Sequence, residues 1–392
     1  MMGSMMRRAM LGDGSTLSLD FTQMSTLADL TSRGLTFSRS TSGTFINASG
    51  LVATATAGNP RFEYDTNGNP RGLLIEASAT NLLKHSAYAD TNWLAYGGYT
   101  KSYTTGITSP ANDTTAARIT FSAVGNGLYT NNTQMAYTNT VGATYTMSAW
   151  IRATSNTTNL NIRFGDSAVA TGPNIPISTS WVRYSYSYVA VSASGPLIQS
   201  ASGTATGEFE MWGFQLETGS GASSYIPSGA SQGSRASESL YLDGAAFSAF
   251  WPSGQSELSV YFAGDITRPP ANTQFLWVSR TGSGGVGSSR TRSFITTANS
   301  IRANTTVSDL NSTLSAAINT RIRTAVGVRS GSCALATNNG TTSTIVVNSD
   351  TGLSTDATQL VFNPNADVFQ HVSSLKFWPT RLPDAQLQAL IT

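Results

Sequence analysis

Short apolar runs alternate with polar turns along most of the chain. In "YTMSAWIRA" (145–153), Tyr145, Met147, Ala149 and Ile151 share one parity, and Thr146, Ser148, Trp150 and Arg152 share the other. Side chains on a strand point alternately to opposite faces, so this pattern predicts an antiparallel strand with one apolar and one mixed face. "AARITFS" (116–122), "NLNIRF" (159–164), "WVRYSYSYVAV" (181–191) and "EFEMWGFQLE" (208–217) read the same way. Further strands are predicted at "SELSVYFAGD" (256–265), "QFLWVSR" (274–280), "RSFITTA" (292–298), "RIRTAVGVRSG" (321–331), "SCALATN" (332–338) and "TSTIVVNS" (342–349). Before them lie the shorter pieces "LSLDF", "GLTFSRS", "TFINASG", "RFEYD" and "RGLLIE". Only the C-terminal stretch reads as helix, begun by Pro383 and Asp384, with Leu387 and Leu390 at i and i+3.

The expected fold class is therefore all-β: a β-rich N-terminal segment that begins with a polar leader (residues 1–30), two antiparallel β-sandwich (jelly-roll) domains and a short C-terminal helix. Changes of texture place the boundaries at 1–83, 84–236 and 237–392. The Ser- and Gly-rich "SYIPSGASQGSRASESL" (224–240) marks the last seam.

Composition narrows the function. Of 392 residues only 11% are charged, well below the roughly 25% of an average domain, and Ser, Thr, Asn and Gly take their place. Net charge is +2 and the longest basic run is Arg7-Arg8, which offers no cationic stripe for nucleic acid. Cys333 is the single cysteine, so no intrachain disulfide forms. The start, "MMGSMMRRAML", lacks an apolar signal core, and no stretch reaches the ~20 apolar residues of a membrane span. Synthesis in a reducing cytoplasm without membrane insertion is the expectation.

Candidate chemistry is sparse. Gly-Asn-Pro-Arg occurs at 58–61 and again at 68–71. Within that stretch Asp65, Asn67, Asn69 and Glu76 imitate the spacing of a calcium loop, yet the position that needs glycine for its sharp turn is Pro70. Turn chemistry, with Asn67-Gly68 as hairpin punctuation, fits better. Gly282, Gly284 and Gly287 match a dinucleotide fingerprint, but a strand-like segment follows where a helix is needed. Glu208 and Glu210 lie two apart on a strand, with Cα atoms about 6.6 Å apart, and form the best pair of acids. The same face continues as Trp212, Phe214 and Leu216, a core pattern, so no catalytic residue is assigned. His85 and His371 belong to no metal-spaced cluster, and neither a metal nor a cofactor is expected.

Aromatics remain as candidates for sugar contact, because their flat faces take sugar C–H bonds while OH and NH groups reach hydroxyls. Tyr184, Tyr186 and Tyr188 share one strand face, for which a core or interface role is the stronger reading. Trp93, Tyr96, Tyr99 and Tyr103 crowd a stretch that reads as loop.

Residues 37–83 resemble a segment common in fibre, spike and minor virion proteins of tailed bacteriophages, through Arg39, Gly50, Pro60, Arg61, Phe62, Asp65, Gly72 to Glu76, Thr80 and Asn81. The middle region, with "NW" (92–93), "YTMSAWIRA", "WVRYSYSY" and "WGFQLETGSGASSYIPS", is similar to the carbohydrate-binding-module jelly roll that follows this segment in such proteins. The end, "SSLKFWPTRLPDAQLQALIT", is similar to the closing strand and helix of concanavalin/laminin-G-like sandwiches. The resemblance implies a non-enzymatic virion protein (fibre, spike or decoration protein on head or tail) that displays lectin-like domains to host-surface polysaccharide. It further implies a symmetric homo-oligomer, often a trimer in such proteins, held to capsid or tail/baseplate proteins through its N-terminal region. A structural component without ligand and a capsule or lipopolysaccharide depolymerase are the rival readings.

Overall fold

A computed structural model of the chain describes residues 13–87, 93–96, 102–121, 126–129, 138–154, 161–166, 172–193, 195–200, 207–252, 254–281, 289–305, 309–348 and 356–392. They are mostly antiparallel strand, as the alternation predicts. The chain forms two compact units. One is built from Met1–Gly50, Thr54–Ser78 and Ala236–Thr392; the other from Leu51–Ala53 and Ala79–Arg235. Among the described residues no helix is long and apolar enough to cross a membrane.

The first unit contains an eight-stranded and a seven-stranded sheet. In the larger one, strand Phe369–Trp378 lies between Glu257–Ile266 and two short N-terminal strands that share its other edge. Leu17–Asp20 pairs with Phe377 to Ser374, and Leu73 to Glu76 pair with Val372 to Phe369. The smaller sheet begins with Leu35–Ser38 on Ser239–Asp243 and runs through Gln359–Val361, Gln274–Arg280, Ser289–Ile295, Ser300–Asn304 and Asp309–Ser315. Leu19, Phe21, Leu35, Phe37, Leu73 and Ile75 pack into one core with Phe262, Trp277, Val326 and Phe377.

The expected division at 83 and 237 therefore groups the chain differently from the structure. Apart from the seven-residue Pro70–Glu76, the N-terminal strands are three or four residues long, too short to close a core alone, and their apolar faces are covered by the C-terminal sheets. Most of the N-terminal leader goes the same way: Leu19, Phe21 and Leu30 are fully buried. Among the described residues two helices join the expected C-terminal one, Asp384–Ile391. They are Leu27–Thr31, started by a capping box of Thr26 and Asp29, and Gly244–Phe250. Both are a turn or two long, below the length at which apolar periodicity shows in sequence.

The second unit has two five-stranded sheets. One is ordered Val182–Val189, Thr144–Ala153, Gly207–Thr218, Ala116–Phe121, Ser102–Ile107; the other Ile175–Pro176, Asn161–Asp166, Pro196–Ser200, Gly127–Tyr129, Leu94–Tyr96. Its core is built from Tyr145, Met147, Ala149 and Ile151, the apolar parity of the sequence pattern, with Ile119, Phe164, Ile198, Phe209 and Met211.

Candidate functional site

The strand Gly207–Thr218 is central to its sheet and changes face midway. Gly213 has φ +68°, and the register against Thr144–Ala153 shifts between Ser148 and Trp150. Phe209 and Met211 point into the core before the shift, and Phe214 and Leu216 after it. A bulge adds one residue and reverses the alternation. Glu208, Glu210 and Trp212 consequently share the outer face without Phe214 and Leu216, which corrects the single core face expected from parity. A Cβ on Gly213 would sit 2.7 Å from the Trp150 ring, so the bulge requires glycine here.

Glu210 stands opposite Arg118 on one neighbouring strand and Arg152 on the other. Its Oε1 accepts from Arg118 Nη2 at 2.6 Å, and its Oε2 accepts from Arg152 Nε at 2.5 Å. Glu210 is buried, while the arginine side chains are 39% and 32% exposed. The Arg152 guanidinium lies 4.7 Å from the centroid of the half-buried Trp181 ring. The result is an Arg–Glu–Arg ladder carrying one net positive charge beside an indole. Cross-strand charge pairs and cation–π contact hold it in place.

Below the ladder the outer face is closed by aromatics. Trp150 and Trp212 face each other with centroids 5.3 Å apart, and Tyr225 packs 5.6 Å and 4.7 Å from them. Arg183 covers Trp150 at 4.7 Å. Trp212 Nε1 donates to Thr115 Oγ1, and the Tyr225 hydroxyl meets Ser86 Oγ at 2.7 Å. Burial pushes the Tyr225 hydroxyl up to about 12. All three rings are buried, so they support the ladder and present no face to a ligand.

The sequence-predicted aromatics fare otherwise. Trp93 is buried against Phe214 at 4.6 Å and Tyr188 is buried beside Tyr145, so neither can take a sugar. Tyr184 and Tyr186 stand opposite Ala149 and Met147, inward-facing residues, and pack against the same core. Tyr184 and Tyr186 remain half-buried. Tyr96 and Tyr103 lie on strands, not in a loop, and on different sheets: Tyr96 opposite Gly127, Tyr103 opposite Ile119. Tyr99 lies outside the described residues. Reading by rings alone missed Arg118, Arg152 and Trp181. The signal for them was the mixed parity of Thr144–Ala153, which sets Arg152 on the face opposite the core.

In the first unit the motif residues of the sequence resemblance converge. Glu238 accepts from Arg39 Nη1 at 2.6 Å, from Arg61 Nε at 2.8 Å and Nη2 at 2.5 Å, and from the Glu76 backbone N–H at 2.9 Å. Arg61 also pairs with Glu76 at 2.8 Å. Two arginines and two glutamates thus form a buried, charge-balanced cluster. Asp65 instead accepts from Asn67 N, Asn69 N and Asn69 Nδ2, closing the hairpin turn. With Glu76 turned to Arg61, the calcium-like spacing gathers no common set of ligands.

His371 is fully buried. Its Nδ1 lies 2.9 Å from Asp265 Oδ1 and its Nε2 2.6 Å from Glu63 Oε2. Burial opposes charge on the ring, but the carboxylates of Asp265 and Glu63 outweigh it and raise its pKa. Among the described residues no cluster of His, Cys, Asp and Glu is arranged to hold a metal. The glycines of the dinucleotide-like spacing, Gly282, Gly284 and Gly287, lie outside the described residues.

No family profile matches the chain, and no curated protein matches it. Among solved structures, it is similar to the xylan-binding domain CBM22-1 of Paenibacillus barcinonensis Xyn10C, at 16% identity and a TM-score of 0.29, over 36% of this chain and 96% of that one. It is also similar to Trypanosoma rangeli sialidase, at 10% identity and a TM-score of 0.29, over 39% of this chain and 25% of that one. The binding domain of botulinum neurotoxin serotype D/C matches at 13% identity and a TM-score of 0.30, over 39% of this chain and 40% of that one. The chain thus spans well under half the length of the last two, and each likeness is confined to a part of it.

Proposed function

We propose that the protein is a non-enzymatic surface component of a tailed-phage virion that adsorbs to host-surface polysaccharide through the outer face of its second unit. The observation that carries the binding reading is the Arg118–Glu210–Arg152 ladder beside Trp181. Buried Glu210 fixes two part-exposed guanidiniums, and among the described residues Arg152 uses only Nε in hydrogen bonding. Its terminal nitrogens can donate to neighbouring sugar hydroxyls, and the indole edge offers apolar contact to ring C–H groups. The same two bonds occupy both Glu210 oxygens, which argues against a general-acid role and for binding without hydrolysis.

The virion assignment rests on the sequence resemblance of residues 37–83. Arg39, Arg61 and Glu76 of that motif serve the buried ion cluster, so the motif is read as architecture and the ligand role passes to the second unit. In a symmetric oligomer, a trimer by the same resemblance, weak sites on each copy add avidity. The N-terminal region would make the contact to capsid or tail/baseplate proteins, although its Leu19, Phe21 and Leu30 serve the core of the first unit.

A glycan array probed with the intact protein tests the reading. Binding is expected; Trp181→Ala should abolish most of it at a nearly unchanged melting temperature, and Arg152→Ala, which also leaves a buried Glu210 oxygen without its partner and so lowers the melting temperature, should abolish most of the binding per folded molecule. No binding by the wild-type protein would favour a ligand-free structural component. Shortening of host polysaccharide on incubation would point to the depolymerase.

A further inference from the structure

The seven-stranded sheet of the first unit has an outer face of its own. On strands Gln274–Arg280, Ser289–Ile295 and Ser300–Asn304, Leu276, Trp277, Ile295, Ile301 and Ala303 point into the main core. Opposite them, Phe275, Val278 and Phe294 form a separate small apolar cluster, with the two phenyl centroids 5.8 Å apart. The Arg292 guanidinium lies over both rings, 5.5 Å from Phe275 and 5.4 Å from Phe294. Arg302 stands opposite Phe294 in register, and so diagonal to Arg292, a placement that sets the two backbones about 7–8 Å apart.

Among the described residues neither arginine has a counter-charge in contact. Arg39, Arg61, Arg71, Arg118, Arg152 and Arg381 each meet a carboxylate; among the described residues Arg292 and Arg302 make no salt bridge. The Nε atoms of both are buried with no hydrogen-bond partner. Desolvation lowers the pKa of Arg292, and the more distant charge of Asp309 only partly opposes this. Asp309 itself is engaged by the Asn304 side-chain amide.

A guanidinium half removed from water without a partner is destabilising, and an incoming oxyanion relieves that penalty. The apolar floor also lowers the local dielectric, so each charged hydrogen bond made above it is stronger than at a solvated arginine. We propose that Arg292 and Arg302 form an oxyanion site on this face, floored by Phe275 and Phe294, that takes the carboxylate of an acidic sugar in a polysaccharide. The planar guanidinium fork matches a carboxylate through paired N–H donors, and two forks on adjacent strands can close on one group or on neighbouring groups of a polymer. The site lies in a different unit from the Arg118–Glu210–Arg152 ladder and does not depend on it.

The test uses the full-length protein with two probes, polygalacturonate and inorganic polyphosphate, followed by calorimetry at several salt concentrations. Wild-type protein is expected to bind polygalacturonate, and Arg292→Gln or Arg302→Gln to weaken it about tenfold each. The double variant should lose salt-sensitive binding while its melting temperature holds or rises, since an unpaired desolvated charge has gone. Binding of polyphosphate alone would keep the oxyanion site and overturn the acidic-sugar assignment. Undiminished binding by the double variant, or loss of binding in Trp181→Ala with Arg152→Ala instead, would overturn the site while leaving the proposed function standing. Failure of that function on the array, with polygalacturonate binding lost only in the Arg292 and Arg302 variants, would leave this site in place.

Discussion

Glu238→Gln is the most informative single change in the first unit. Glu238 accepts four hydrogen bonds, from Arg39 Nη1, from Arg61 Nε and Nη2, and from the Glu76 backbone N–H. Glutamine keeps the shape but replaces one acceptor oxygen with an NH2 group, which must point at donors. It also removes one of two negative charges from a cluster that holds two arginines, all four residues being buried. Removing one partner of a buried ion pair typically costs about 3–5 kcal/mol. For a unit of this size each kcal/mol moves the melting temperature by about 2–4 °C, so a fall of about 6–20 °C is expected. Scanning calorimetry reads the first unit's transition directly, and the fluorescence of its Trp251, Trp277 and Trp378 reports the same event. Adding Arg39→Met restores charge balance, leaving Arg61 with Glu76, and should recover about 1–3 kcal/mol of the loss as coupling between the sites. A Glu238→Gln loss below about 1 kcal/mol, or no recovery in the double variant, would falsify the view that charge balance holds this cluster together.

Three further outcomes follow from other parts of the molecule. His371 has a raised pKa, so its contribution is fully present below about pH 6.5, the ordinary unfolded value, and is lost as pH rises through the folded one. Glu63 and Asp265, which face it, have lowered values through His371 and Arg71, with Arg321 also acting on Asp265; their contribution is present above the ordinary carboxylate range and is lost on acidification. The melting temperature of the first unit should therefore plateau in mildly acidic buffer and fall as the pH is raised above it, and an unchanged alkaline slope in His371→Gln would refute the assignment. Gly213→Ala forces a Cβ onto the Trp150 ring at a positive φ and should destabilise the second unit by about 2–4 kcal/mol in urea unfolding; a neutral result would mean the bulge relaxes freely. Trp93→Ala should cost about 3–5 kcal/mol in the same assay with glycan binding per folded molecule retained, whereas selective loss of binding would return Trp93 to the site.

The difference between Trp93 and Trp181 shows why the site was only partly legible. Trp181 opens a predicted strand and Trp93 stands in a stretch that reads as loop, and ring chemistry alone favoured the crowded loop. Whether a ring is buried depends on what the opposite sheet places over it, here Phe214, more than a hundred positions away. The tyrosine strand was easier: its period-2 pattern carried the core reading, and pairing with Met147 and Ala149 realises it.

Local pattern determined the strands, the Asn67-Gly68 hairpin, the C-terminal helix and the all-β class, because side-chain alternation and turn chemistry act over a few residues. Non-local pairing decided the rest. It joined the N-terminal strands to sheets built from the far end of the chain, since a few short strands cannot satisfy their backbone and apolar faces alone. It brought Arg39 to Glu238 across 199 positions, turning a recurrent motif into a buried ion cluster. At Gly213 one bulged residue reversed the alternation that made the strand readable, and placed Glu210 between two arginines on the outer face.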